Sequence, residues 1–450
     1  MILPTLALTM TLSTIGFPGD AWVSEGAGNV HDPMVFHYGD RYFCVCTSGN
    51  GFGLMRTSTD MKKWTVLGGV IDTFPEWLTK RYRHRSVWAP NVVRVGDALR
   101  MYYCMSNWGT NDSVIGFLEC DHFDPEHPKT GWEDKGLVLD SKPGNDTFNA
   151  IDPEVMIDRQ GRHWMYFGSY FSGLETVELD PATGKLKDPD HPNIIPTARN
   201  TAERGNPLEA TAMYRHGDYY YLFTSYGLAG QGVRSTYRIM VGRSADPAGP
   251  FVDMDGHSMV DGGHVNVLKS SPPMFSPGHC HVFQDTDGRT LMPYHFYDSR
   301  RYWVRDMWGL PTLQIRELLW TPDGWPLPGL PIECGDRLNH ARKHNDLVGK
   351  WVLQSDFANP QELELKPDGK AICQGSTGAW SEKDGEVDLT WPDSAPFGLM
   401  NLHHGLTAYG HNYFVGHAGQ DAIVRAIRED VLGPDPELRT ELHLPHPEAQ

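Results

Sequence analysis

Five times along the chain a glycine-containing turn opens into a strand dense in aromatic side chains: HYGDRYFCVCTS (37–48), RVGDALRMYYCMS (94–106), DRQGRHWMYFGSY (158–170), YRHGDYYYLFTSY (214–226) and DTDGRTLMPYHFYD (285–298). The turn glycines Gly39, Gly96, Gly161, Gly217 and Gly288 lie 57, 65, 56 and 71 residues apart. A glycine turn between two β-rich runs is a hairpin signal. Long amphipathic helical patterns are nearly absent between the hairpins. Other short strands, such as MKKWTVLG (61–68) and STYRIMVGRS (235–244), fill each repeat. Five all-β units with a period of roughly 60 residues predict an all-β fold, a five-bladed β-propeller over residues 17–330. A sandwich with irregular insertions explains the regular recurrence less well.

The run PLPGLPIECGDRLNHARKHN, around 326–345, reads as a linker, with bounds set at 331–345. Short alternating strands with turn signals then predict a small β-barrel or sandwich over 346–430, with a polar, proline-rich tail over 431–450. Trp351, Trp380 and Trp391 in this small domain could present a sugar-binding face, but a barrel of this size needs such side chains for its own core. Packing is the preferred reading.

The seven cysteines are scattered and odd in number, which argues for buried free thiols rather than a disulfide framework. The N-terminal MILPTLALTMTLSTIGF reads either as a signal-like segment, implying an extracellular or periplasmic protein, or as a first β-strand, implying a cytoplasmic one. With 39 Lys and Arg against 57 Asp and Glu, the formal charge of −18 argues against nucleic acid or an anionic membrane as partner. A neutral ligand suits it, and a monomer is expected.

A few residues before the turn glycines stand Asp32, Asn91, Asp152, Glu209 and His279, one for each repeat. Equivalent positions of a propeller form a ring about its axis, so three carboxylates, an amide and an imidazole would converge on one funnel. A single acid at a strand end is ordinary. Three at matched positions point to a site, because carboxylates forced together repel and raise at least one pKa. A raised acid beside an ionised one equips a site for general acid and general base chemistry on glycosides. Of the aromatics near the ring, Trp88 is the candidate for stacking on a sugar. Trp108, Phe148, Tyr170 and Tyr226 read as blade core.

HDP, WAPN, FNAIDPEV, WMYFGSYFSG, LEA, STYRIMVGRS, GH and YHFYD follow one another over about residues 28–328. In this order they resemble the arabinanases of glycoside hydrolase family 43, and the segment after 346 is more distantly similar to the lipocalin-like β domain that follows the propeller in some endo-arabinanases. The resemblance implies inverting hydrolysis of α-1,5-linked L-arabinofuranosyl chains of a neutral plant polysaccharide, arabinan. By motif it implies Asp32 as general base, Glu209 as general acid and Asp152 as modulator of the acid's pKa. It implies His279 as ligand, largely through waters, of a calcium or similar cation on the axis. Asn149, Ile151, Ser169 and Ser225 lie in matching strings and would line the sugar subsites.

The chain departs from the family's usual strings at Thr211-Ala212, Cys280 and Asn91, and lacks a cysteine pair in SYGLAGQGVRSTYR. These departures bear on substrate detail and on endo against exo action, and the basic run PEWLTKRYRHRSVW (75–88) is a candidate rim element controlling that choice. The alternatives are an exo-acting arabinofuranosidase, xylosidase or oligosaccharide-releasing enzyme, and a carbohydrate-binding propeller without catalysis. A zinc-type hydrolase using His279 is disfavoured, since one imidazole among oxygens suits a hard cation.

Overall fold

All five turn glycines adopt left-handed backbone, with φ of 66°, 63°, 78°, 55° and 89° for Gly39, Gly96, Gly161, Gly217 and Gly288. An L-residue with a Cβ pays a steric penalty there, which is why glycine recurs. The computed structural model describes residues 17–20, 22–49, 51–301, 309–396 and 398–432, so the apolar run 1–16 and positions 433–450 of the tail lie outside the described residues.

The glycines turn the innermost strand of each blade into the second strand of the same antiparallel sheet. The innermost strands are Met34–Tyr38, Trp88–Val95, Glu154–Ile157, Leu208–His216 and Met274–Gly278. In every blade the long strands are ordered as they occur in the chain, and the fifth carries an extra short strand, Phe283–Gln284. Apolar clusters lie between successive blades, and this accounts for the unbroken aromatic runs. Successive residues of one strand serve opposite neighbours: Met101 and Tyr103 pack toward blade one, while Tyr102 and Cys104 pack toward blade three. A strand buried on both faces reads as continuous apolar sequence rather than alternation. All seven cysteines are buried free thiols.

Among the described residues each blade comes from one contiguous segment, and no strand is shared to lock the ring. Residues 22–30 take that role. Leu313 N–H donates to Ala27 O (2.9 Å) and Val30 N–H to Pro311 O (3.0 Å) on blade five, while Trp64 N–H donates to Glu25 O (2.8 Å) on blade one. Just upstream, Asp20 is wholly buried and receives Arg316 of blade five and Arg425 of the C-terminal domain. Arg425 also lies over the rings of Phe17 (4.0 Å) and Phe357 (4.8 Å).

After Pro331 the segment read as a plain linker contains a helix, Ile332–His340, with Ile332, Cys334 and Leu338 buried. Its sequence hides the helix because Gly335 interrupts it. A Cβ there would come within 3.1 Å of the Tyr409 ring, so close packing explains the glycine. Eight strands from Gly349–Ser355 to Ile423–Arg428 then close into a barrel. Trp351 and Trp391 are buried within it, and Trp380, half-buried, donates from Nε1 to Lys366 O (3.0 Å). The three tryptophans serve packing.

Burial alone would raise the Asp20 carboxyl pKa, but Arg425 and Arg316 outweigh it and hold it below the ordinary range. A carboxyl depressed by folding adds stability above its unfolded pKa, about 3.9, and loses it as pH falls through the folded value. Asp20→Asn strands two buried guanidiniums and should destabilise the protein by about 3–5 kcal/mol at pH 7. The gap to wild type should narrow toward pH 3 in denaturant titrations; a gap that is equally wide in acid would contradict this account.

Candidate active site

Within or directly beside the innermost strand of every blade stands a non-glycine residue in the left-handed region: Asp32 (φ 54°), Ala89 (38°), Asp152 (55°), Ala210 (66°) and His279 (47°). Such a backbone costs of order 1–3 kcal/mol per residue and persists only where its surroundings enforce it. In blades two and four the kink coincides with a register shift, between Trp88 and Asn91 and between Glu209 and Ala212. The ring member of blade two is therefore Ala89, not Asn91 as the spacing suggested. Glu209 stands one residue before the repeated position of its blade.

Asn91 belongs to a second tier, two residues further along each strand and hence on the same side. There Asn91 Nδ2 donates to Glu154 Oε2, and Asn91 Oδ1 accepts from Val155 N–H (3.1 Å). His281 Nδ1 lies 3.7 Å from Glu154 Oε1. Burial pushes Glu154 up to about 8 and His281 down to about 4, favouring the neutral form of each. Glu154 and His281 are absent from the sequence-based site. The period of two along a strand, applied to Asp152 and His279, would have indicated them.

In the upper tier Asp32 is surrounded by histidines. Its Oδ1 receives His31 Nδ1 (2.7 Å) and His279 Nδ1 (2.9 Å), and its Oδ2 receives the Thr47 hydroxyl (2.5 Å). The Asp32 N–H donates to His295 Nδ1 (3.1 Å), which assigns that imidazole as an acceptor at Nδ1. His31 and His295 stack at 3.9 Å between centroids. Burial opposes ionisation of Asp32, but His279 and His31 overcome it and hold the carboxyl well below its usual range. His279 in turn is raised to about 9, burial opposing and Asp32 prevailing. With Oδ1 committed to two imidazoles, the free acceptor site of this carboxylate is on Oδ2.

Asp152 Oδ2 accepts from Ala210 N–H (3.1 Å). Burial, reinforced by Glu209 and Asp32 and opposed by His279, raises Asp152 to about 7. Glu209 Oε1 receives the Tyr237 hydroxyl, and Oε2 receives Ser169 Oγ (2.7 Å). The structure thus brings Asp32, Asp152, Glu209 and His279 to one end of the axis.

Several residues assigned to sugar subsites do other work. Ser225 is fully buried and its Oγ accepts from His279 N–H (2.8 Å), so it holds the histidine and has no surface for a sugar. Asn149 is buried, receiving Ser113 Oγ at its Oδ1 (2.6 Å), and Ile151 packs in the cluster between blades two and three. Ser169 is committed to Glu209. Trp88 is half-buried, stacked on His84 and edge-on to Trp108 at 6.1 Å. Trp108 is not blade core: it stands 82% exposed at the mouth. In the basic run, Arg81 donates to Asp112 (2.8 Å) and Asp140 (3.0 Å) and Lys80 pairs with Glu76, so much of its charge is neutralised within the protein.

The sequence model of glycosyl hydrolases family 43 matches residues 26–326. The chain belongs to glycosyl hydrolase family 43. Among family-43 relatives, it is 32% identical over 307 residues to the extracellular exo-α-(1→5)-L-arabinofuranosidase of Cellvibrio japonicus, covering 66% of this chain and 86% of that protein. It is also 32% identical over 308 residues to the extracellular endo-α-(1→5)-L-arabinanase 1 of Bacillus subtilis, covering 67% and 88%. The crystal structure of an endo-1,5-α-L-arabinanase from Thermotoga petrophila superposes with a TM-score of 0.71 over 90% of this chain and 100% of that one; at 22% identity it shows a shared fold that extends into the barrel.

Thr47 links the ring members of blades one and two in this family-43 site, donating to Asp32 Oδ2 while its own oxygen accepts from Ala89 N–H (2.9 Å). A hydrogen bond to a charged group contributes about 1.5–3 kcal/mol, or roughly 10–100-fold in rate. Thr47→Val should lower kcat on arabino-oligosaccharides by about that factor with KM changed less than about twofold. An unchanged kcat would show that Thr47 does not orient the carboxylate.

Proposed function

We propose that this protein is an inverting α-L-arabinanase that cleaves α-1,5-linked arabinofuranosyl chains internally. The observation that carries the reading is the pairing, across one axis, of an ionised Asp32 on blade one with Glu209 on blade four. Asp32 Oδ2 takes a proton from water as that water attacks the anomeric carbon. Glu209 gives its proton to the departing glycosidic oxygen. An inverting pair stands roughly 6.5–9.5 Å apart so that water fits between base and sugar. Blades one and four are separated by blade five, which suits such a span. Asp152, linked through the Ala210 amide to the segment carrying Glu209, acts as modulator of the acid.

His279 spends Nδ1 on Asp32, so an ion would be held through Nε2 only after that nitrogen gives up its proton; the side chain is 13% exposed. One imidazole among carboxylates and water suits a hard cation such as calcium. When bound there, such an ion would offset the repulsion among the carboxylates.

The names of the bacterial relatives support the substrate and a site of action outside the cell. The charge of −18 suits a neutral polysaccharide. The funnel is complete within one chain, which supports action as a monomer.

One observation favours exo action as the second reading. A Cβ placed on Gly230 of blade four would lie 3.6 Å from the Trp108 indole of blade two, and Gly230 N–H donates to Tyr297 OH, which contacts His31. Two blades that are not neighbours thus meet at the mouth, and a bridge there restricts passage of a long chain.

Incubation with debranched α-1,5-arabinan tests both readings. The wild type should release a ladder of oligosaccharides, and Glu209→Gln should lose at least about 100-fold in rate, the contribution expected of a general acid. A single short product would establish exo action; no cleavage, or full activity of Glu209→Gln, would overturn the proposal.

A further inference from the structure

Glu209 is the least constrained of the axial carboxylates by its own backbone, since it lies one residue off the kink that aims Asp32, Asp152 and His279. Something else has to aim it. Its two oxygens are each met by a hydroxyl, Tyr237 at Oε1 and Ser169 at Oε2. Ser169 lies two residues past the end of blade three's second strand, His163–Phe167. Tyr237 immediately precedes the third strand of blade four, Arg238–Ser244, and is 2% exposed.

The tyrosine ring reaches Glu209 by passing over blade five. A Cβ on Gly278, the last residue of the innermost strand of that blade, would lie 2.2 Å from Tyr237 Cδ2 and 2.9 Å from Cγ. Real Cβ contacts do not come so close. Gly278 is not among the glycines with positive φ, so its backbone does not require glycine. The space beneath the Tyr237 ring does.

We propose that Tyr237 is the positioning residue of the general acid, that it acts with Ser169 as a two-hydroxyl clamp on Glu209, and that Gly278 is its seat. The clamp fills one lone-pair site on each carboxyl oxygen and fixes the plane of the group. When Glu209 transfers its proton to the glycosidic oxygen and the C–O bond breaks, the carboxylate left behind is met by two O–H donors already in place. Donors preorganised toward developing charge lower the barrier without reorganising during the step. Neither hydroxyl exchanges a proton with the substrate; the proton that leaves Glu209 resides on the new sugar hydroxyl, and solvent restores it afterwards.

The inference rests on Glu209 being the general acid, and leaving-group dependence separates the two claims. Aryl α-1,5-arabinotriosides with a 2,4-dinitrophenolate leaving group need no protonation at departure, whereas arabino-oligosaccharides do. Tyr237→Phe keeps the ring on Gly278 and removes only the hydroxyl. It should lose roughly 10–100-fold in kcat on arabino-oligosaccharides, as for a hydrogen bond to a charged group, with KM nearly unchanged. On the dinitrophenyl substrate it should stay within about threefold of wild type.

Glu209→Gln, measured alongside, should show the same split more strongly. If Glu209→Gln shows no split, the general-acid reading falls. If Glu209→Gln shows the split and Tyr237→Phe either loses both activities in parallel or retains both, the positioning role of Tyr237 falls while the acid stands.

Discussion

Everything at this site depends on keeping an ionised carboxylate, Asp32, buried among other carboxylates. Two unit charges 4 Å apart interact by about 4 kcal/mol at an effective dielectric of 20, so Asp32, Asp152 and Glu209 cannot all ionise together without compensation. The protein supplies it asymmetrically. Asp32 receives His31, His279 and Thr47 and is held well below the usual carboxylate range, while Asp152 is pushed up to about 7 and Glu154 beneath it to about 8. Asp32 thus carries the charge, while Asp152 and Glu154 yield their protons only at higher pH. This division of labour is what an acid–base hydrolase needs from chemically similar side chains.

The propeller makes the division possible by repetition with small departures. The same left-handed kink at Asp32, Ala89, Asp152, Ala210 and His279 delivers five side chains to the axis, and two are alanine. The alanine of blade four leaves the axial position to Glu209 one residue earlier, which then takes its aim from Tyr237 and Ser169 rather than from the kink. The strain of five such residues needs a rigid ring. The ring is closed by residues 22–30 bridging blades five and one, and Asp20 ties that closure to the barrel through Arg425. The barrel's interior is filled by its own side chains.

The architecture was legible because the turn glycines and the aromatic second strands repeat, and both have one cause: tight left-handed turns and strands buried on both faces. The acids were legible because they sit seven to nine residues before those turns. The offsets failed at Asn91, where a register shift moves the ring position to Ala89 and sends Asn91 to the tier below. They could not separate side chains that face a ligand from those that hold the ones that do. Ser225 and Ser169 stand in the right strings, yet one supports His279 and the other Glu209. His31 and His295 escaped notice although they stand inside the strings HDP and YHFYD, because their roles arise from contacts between blades five and one, distant in sequence. The helix 332–340 was hidden by Gly335, whose reason is a tyrosine in the barrel.

The proposed roles of Asp32 and Glu209 require Asp32 to activate water rather than attack the sugar itself. Proton NMR of the first product formed from an α-1,5-arabino-oligosaccharide, recorded before mutarotation, tests this most directly. Release of the β-anomer would show inversion and a water molecule between Asp32 and the anomeric carbon. Release of the α-anomer would mean two displacements through a covalent sugar ester, which would contradict the roles assigned to Asp32 and Glu209.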